Sequence, residues 1–342
     1  MKKKSALILS LILHHCLIFS QQSPVNRQLF FLDDTPIEVT FTTDIKKLRN
    51  DKTTPVYQPA KISMRFSDTS VISEDIRVKP RGHFRKNNCN LASLMLNFKN
   101  VSSPKLSPLD RLKLVGGCEN GNMYDELLLK EYLVYKIQNI LSNKSFRVRL
   151  LHLNFNDSRE KVKSYSQYGF FIEDVNDLAE RNNCVEINNM NLVTSMANRE
   201  QVTFVNLFQY MVGNVDWSIF KCHNIKLLAP KNDTLASPYP IPYDFDFCGL
   251  VNAGYASTPE DLGMASVRER LYRGFPRTLD ELQAVIGIFT EKKENIMYYI
   301  DHFELCSTKC RRGMKEYLEE FYKAVSTRKN IESIFIKNAR TE

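Results

Sequence analysis

Ile37-Glu38-Val39-Thr40-Phe41-Thr42 alternates apolar and polar residues without a break, the pattern of a strand with one buried face. Lys61-Ile62-Ser63-Met64-Arg65-Phe66 repeats it, as do Ile76-Arg77-Val78-Lys79 and Leu94-Met95-Leu96-Asn97-Phe98-Lys99. Asp110 to Val115 is a further candidate. Turn-forming clusters such as Ser67-Asp68-Thr69-Ser70 and Lys86-Asn87-Asn88 separate these runs. Residues 35–117 therefore predict a twisted antiparallel sheet.

Toward the N-terminus, Met1-Lys2-Lys3-Lys4 is a positively charged lead into an apolar run from Ser5 to Phe19, followed by polar Gln21-Gln22-Ser23. That run is shorter than the ~18–20 residues needed to cross hydrocarbon, so residues 1–20 read as a signal peptide cleaved between Ser20 and Ser23. The expectation is an exported protein with no membrane span. Toward the C-terminus, Tyr124 to Leu141 reads as a helix capped by Asn122. It is apolar around most of its circumference and hence buried on several sides. Phe146–Phe155 and Tyr168–Ile172 are two more strands. Beyond them Gln201–Met211, Thr278–Phe303 and Met314–Ser326 have helical period, with short strands at Ile225–Leu228 and Ile241–Phe247. Strands first and helices afterwards is an α+β arrangement. It divides into a β-rich part over 21–174 carrying one buried helix and a mainly helical part over 175–342, with a cleft between them.

At 43% hydrophobic residues the chain can bury a large core. Three positive charges of the net +8 lie in Lys2, Lys3 and Lys4, and the remaining excess is dispersed, which argues against a nucleic-acid partner. Eight cysteines include Cys16 in the leader; the odd number left leaves at least one free thiol. Cys89 and Cys118 flank strands in loops able to meet at one sheet end, and export permits oxidation, so a disulfide is expected between them. Cys306 and Cys310 stand four apart, with no nearby Cys or His to complete a zinc quartet.

The densest polar constellation in an apolar setting is Asn214-Val215-Asp216-Trp217, then His223-Asn224, then Pro242-Tyr243-Asp244-Phe245-Asp246-Phe247. Buried carboxylates need a cation or a set of hydrogen bonds to offset their desolvation. Oxygen ligands of this kind suit Mg²⁺, and in phosphoryl transfer one Asp orients the attacking hydroxyl while an Asn and a second Asp hold metal.

Asn214-x-Asp216, His223-Asn224 leading into a strand, and Pro242-Tyr243-Asp244-x-Asp246-Phe247-x-Gly249 resemble the atypical protein kinases of the spore-coat CotH family. Lys79-Pro80-Arg81-Gly82 followed by Leu94-x-Leu96-x-Phe98-Lys99 resembles that family's Arg-Gly segment and lysine strand. The resemblance covers roughly residues 75–275. It implies a two-lobed protein-kinase-like fold and ATP with Mg²⁺ or Mn²⁺. The acceptor would be a Ser/Thr hydroxyl of an extracytoplasmic protein. Asp216 would be the catalytic aspartate, with Asn224, Asp246 and Asp244 holding metal. Lys99 and Arg81 would contact phosphates, with Glu131 (or Glu126) pairing with Lys99, and the segment ending at Glu173 would be the hinge against adenine. Asp216 and Asn224 stand eight apart where ordinary kinases use about five, so the loop between them has to bulge.

Blander roles stand beside these. Asp216 could cap a turn, Asp244 and Asp246 could form surface ion pairs, and Arg81 with Arg85 could be an ion-pair set. Arg268, Arg270 and Arg273 read as a helix paired with acids around Asp261, and Trp217 as core. The rival functions are a non-catalytic binding or adhesion module and a metal-dependent hydrolase built on Asp216, His223, Asp244 and Asp246.

Overall fold

The computed structural model describes residues 27–51, 55–82, 84–188, 192–233 and 235–340, so the leader and its cleavage site lie outside the described residues. Seven strands close into a barrel in the order β1-β2-β3-β4-β5-β7-β6. They are β1 (Ile37–Thr43), β2 (Gln58–Arg65), β3 (Val71–Arg81), β4 (Ser93–Asn97), β5 (Arg111–Gly116), β6 (Val148–Asp157) and β7 (Tyr165–Ile172). Neighbours pair antiparallel except at the closure, where β1 runs parallel to β6 with Val39 opposite Leu153. Period-2 alternation decides which residues go inside: Val39, Phe41, Ile62, Met64, Leu112, Leu114, Leu153 and Phe171 fill the interior.

Around the barrel lie α1 (Arg27–Phe30), α2 (Ile45–Asn50), α3 (Phe84–Asn88) and the long α4 (Asn122–Leu141). After β7 come α5 (Val175–Arg181), α6 (Arg199–Val212) and a three-stranded sheet of β8 (Cys184–Ile187), β9 (Ile225–Pro230) and β10 (Tyr239–Pro242). The chain then forms α7 (Leu279–Glu291), α8 (Lys293–Asp301) and α9 (Thr308–Ala324). α6 is buried from Gln201 to Val212, and no helix among the described residues is long and apolar enough to cross a membrane.

The α+β character stands, but the two-lobed kinase-like fold does not. The first half is a closed mixed barrel, because β1 finds a parallel partner more than a hundred residues away in β6, a pairing that local periodicity cannot reveal. α4 packs outside the barrel on Phe170 through Tyr132 and Tyr135, and it belongs to the hydrophobic core that the C-terminal helices share.

Smaller corrections follow from local chemistry. The stretch Thr278–Phe303 is two helices broken at Lys292. Asn122 opens α4 rather than capping it, the N-cap being Gly121. The strand expected over Ile241–Phe247 ends at Pro242, and both aspartates lie in the turn beyond it. Arg268, Arg270 and Arg273 lie in irregular backbone; Arg270 pairs with Glu320 at 2.7 Å rather than with acids near Asp261. The expected disulfide joins Cys89 and Cys118.

Candidate functional site

α6 ends at Gly213 in a left-handed conformation (φ 68°), where a Cβ would collide with the Tyr317 hydroxyl. The turn that follows is locked by buried Asn214, whose Oδ1 accepts the Asp216 N–H at 3.0 Å. Between Asp216 and Asn224 the chain makes a miniature hairpin, with Ser218 and His223 exchanging backbone hydrogen bonds of 2.9 Å. That hairpin takes up the positions between the two side chains. Asn224, itself left-handed at φ 51°, is carried back so that its Nδ2 donates to the Asp216 carbonyl at 2.8 Å and to Asp216 Oδ2 at 3.0 Å. His223 Nε2 lies 2.8 Å from Asp216 Oδ1.

These groups face a cleft of about 450 Å³ between the barrel and the helical half. Asp216, Asn224, Asp244 and Asp246 supply oxygens to it, and Arg81, Arg85, Lys113 and Lys226 supply cations. Asp244 is held in a left-handed turn (φ 65°) by its N–H, which donates to Tyr135 Oη at 2.8 Å. Water reaches Asp244 through the open cleft although protein atoms crowd it. That crowding first, and the charge of Asp246 second, push its carboxyl up to about 6.

Arg85, on α3, ties the site together. Its Nη2 donates to Glu131 Oε2 at 2.5 Å and to Asp246 Oδ2 at 3.1 Å, and Nη1 donates to the Gly116 carbonyl at 2.7 Å. Burial works against its charge, yet Glu131 and then Asp246 hold it well above the usual arginine value. Tyr255 Oη also donates to Asp246 Oδ2, at 3.2 Å.

Several expected residues lie elsewhere. Lys99 is exposed in the turn past Asn97, at the end of β4 remote from Ser93, and it is Ser93 that faces the cleft. Glu131 consequently pairs with Arg85, and Glu126 with Lys130 at 3.8 Å. Glu173 does not face the cleft. It is fully buried, bonded to Arg181 at 2.8 Å and to the Arg147 N–H at 3.0 Å, a structural knot behind Ile172.

Lys113, which sequence reasoning missed, faces the cleft where Lys99 does not. It alternates with Leu112 and Leu114, so packing those two into the barrel turns Lys113 outward into the cleft. Burial first and Arg81 second lower its pKa. Among the described residues neither Lys113 nor Arg81 has a carboxylate within ion-pair distance. Lys226 was missed as well; it reaches the cleft from β9 while paired with Glu186 at 2.7 Å.

Among the described residues no three His, Cys, Asp or Glu side chains converge closely enough to hold a metal ion as they stand. The donors still have the chemistry for a hard divalent cation. Asn224 donates through Nδ2 and so presents Oδ1, and the raised Asp244 beside Asp246 is a like-charge pair that such a cation relieves. No known protein-family model matches the chain, and no curated protein matches it significantly.

Proposed function

We propose that this chain is an exported phosphotransferase that moves the terminal phosphoryl group of ATP to a Ser or Thr hydroxyl of a protein. The supporting observation is a single cleft in which Asp216, Asn224, Asp244 and Asp246 face Lys113 and Arg81, two cations without carboxylate partners among the described residues. Function is carried by this site and not by a kinase fold. The CotH-like motifs point to the same chemistry. Lys113 and Arg81 bind phosphate oxygens as charged donors. Asp216, fixed by Asn214 and Asn224, accepts the proton of the acceptor hydroxyl. Asn224, Asp244 and the open oxygen of Asp246 would hold Mg²⁺ or Mn²⁺, which when bound neutralises charge on the transferring phosphoryl group. Val115, Phe146 and Ile172 give the cleft apolar lining suited to a base.

The test pairs calorimetric ATP titration in Mg²⁺ or Mn²⁺ with phosphate transfer to a Ser-rich acceptor. Asp216→Ala should leave nucleotide affinity within a few-fold and lower transfer by ~10²-fold or more. Asp244→Asn should remove most of the cation-dependent affinity, since an amide supplies no charge. If neither variant changes either signal, the assignment is wrong. One observation favours a second reading, a non-catalytic binding module: Arg85 already occupies Glu131 and one oxygen of Asp246. ATP binding without any transfer by the wild type would select it.

A further inference from the structure

A second cavity of about 450 Å³ opens beside the N-terminus of α6, with Val193, Arg199, Arg277 and Arg340 in its walls. It shares Val193, Thr194, Phe275 and Arg340 with an adjoining cavity of about 230 Å³ that reaches Trp217, Phe220 and Arg273, so the two form one groove. The groove does not share lining residues with the first cleft.

Its charge is one-sided. Arg199 is paired with Glu281, but among the described residues Arg273, Arg277 and Arg340 have no carboxylate within ion-pair distance. Arg273 donates to the carbonyls of Val215 and Trp217, and Arg277 donates to Thr203 Oγ1 and the Pro276 carbonyl, both at 2.9 Å. Burial first, and then a neighbouring arginine, lower the pKa of each: Arg340 acts on Arg273, and Arg199 on Arg277. Asp261 and Asp216 act on Arg273 only from beyond contact. Asn206, which lines the groove, is only 3% exposed.

The walls are also apolar where they meet water: Val193 is 51% and Phe220 46% exposed. A free inorganic anion would gain nothing from those side chains, whereas a polypeptide with apolar residues between its carboxylates would bury them. We propose that this groove binds an acidic, partly apolar polypeptide segment, with Arg273, Arg277 and Arg340 taking its carboxylates. Such docking is separate from phosphoryl transfer at Asp216, and either can fail without the other.

The chain's single tryptophan, Trp217, lies in the groove and is 7% exposed, so its emission reports occupancy directly. The probe is a labelled twelve-residue peptide alternating Asp or Glu with Leu or Val and lacking hydroxyls, titrated into the full chain without nucleotide. Saturable anisotropy accompanied by a shift in Trp217 emission is expected. Replacing the acids by Asn and Gln should weaken binding ~10-fold or more, and Arg340→Gln ~5-fold or more, as expected for lost charge pairs. Arg340 is exposed near the chain end and its side chain carries no bond among the described residues, so this variant should fold. Lys99→Gln, a charge change on a remote surface, should leave binding unaltered. Equal binding of the neutral peptide, no binding, or full affinity in Arg340→Gln overturns the proposal. So does displacement of the peptide by an equal concentration of inorganic phosphate, which would make this a small-anion site.

Discussion

Arg85 and Lys113 are both cations of the cleft, and they should behave differently when removed. Arg85 compensates two buried carboxylates, Glu131 and Asp246. Deleting it strands both, and breaking a buried pair in this way typically costs ~3–5 kcal/mol. Arg85→Ala should therefore lower stability by about that amount in urea unfolding. Arg85→Lys should recover little, because one ammonium cannot span Glu131, Asp246 and the Gly116 carbonyl together. Lys113 compensates nothing within ion-pair reach and is held in the cleft against its own desolvation. Lys113→Ala should leave stability unchanged or raise it, while lowering ATP affinity ~10-fold, the value of one charged phosphate contact. Lys99→Ala should change neither. Calorimetry on the two lysine variants decides between the positions.

At the scale of elements, the start of α7 and the base of α3 are each held by side-chain connections to distant parts of the chain. Thr278 and Glu281 form a capping box, and Glu281 also holds Arg199. The Arg199 hydrogen bond first, and the Thr278 N–H next, bring its carboxyl down to about 2. A depressed carboxyl pKa means stability that is present above the ordinary value of 4.5 and is lost as pH falls toward 2. Glu281→Ala should cost ~1 kcal/mol at pH 7, a typical cap. Its deficit against wild type should close between pH 4.5 and 2, as read by thermal unfolding. The disulfide joins the residue after α3 to the loop after β5, across 29 positions. On the chain-entropy model such a loop contributes ~3–4 kcal/mol. Because α3 carries Arg85, the Cys89→Ser/Cys118→Ser pair should also loosen the cleft, seen as weaker ATP binding in material that still folds.

The same scale explains what the sequence could say. Strands with clean alternation, such as Ile37–Thr43, and helices with a continuous apolar face, such as Arg199–Val212, were legible because their signal is local. The β1–β6 closure was not, since no residue in either strand marks its partner. Asp216, Asn224, Asp244 and Asp246 stood out as oxygen donors in apolar surroundings, and they do face one cleft. Lys99, just past β4, and Lys113, within β5, both continue an apolar-polar alternation, and only the register of β4 against β5 tells which end opens on the cleft. Arg85 was visible as part of a basic cluster, but its two carboxylate partners are 46 and 161 positions away.

For the whole molecule, α4 is the element that both halves need. One side lies on the barrel through Phe170, and Tyr132 also stacks on Phe303 at 5.8 Å. A chain ending at residue 174 would keep every barrel strand and lose the cover on that helix. It should bind a hydrophobic dye, aggregate, and lack the sharp single melting step expected of the intact protein. During synthesis the same deficit is temporary but long. Phe303 leaves the ribosome 171 residues after Tyr132, a wait on the order of 10–30 s at ordinary elongation rates. Through that interval α4 has its barrel neighbours but lacks Phe303. A holding factor, or a route of secretion that keeps the chain unfolded, therefore has these twenty residues to shield until their last partners emerge.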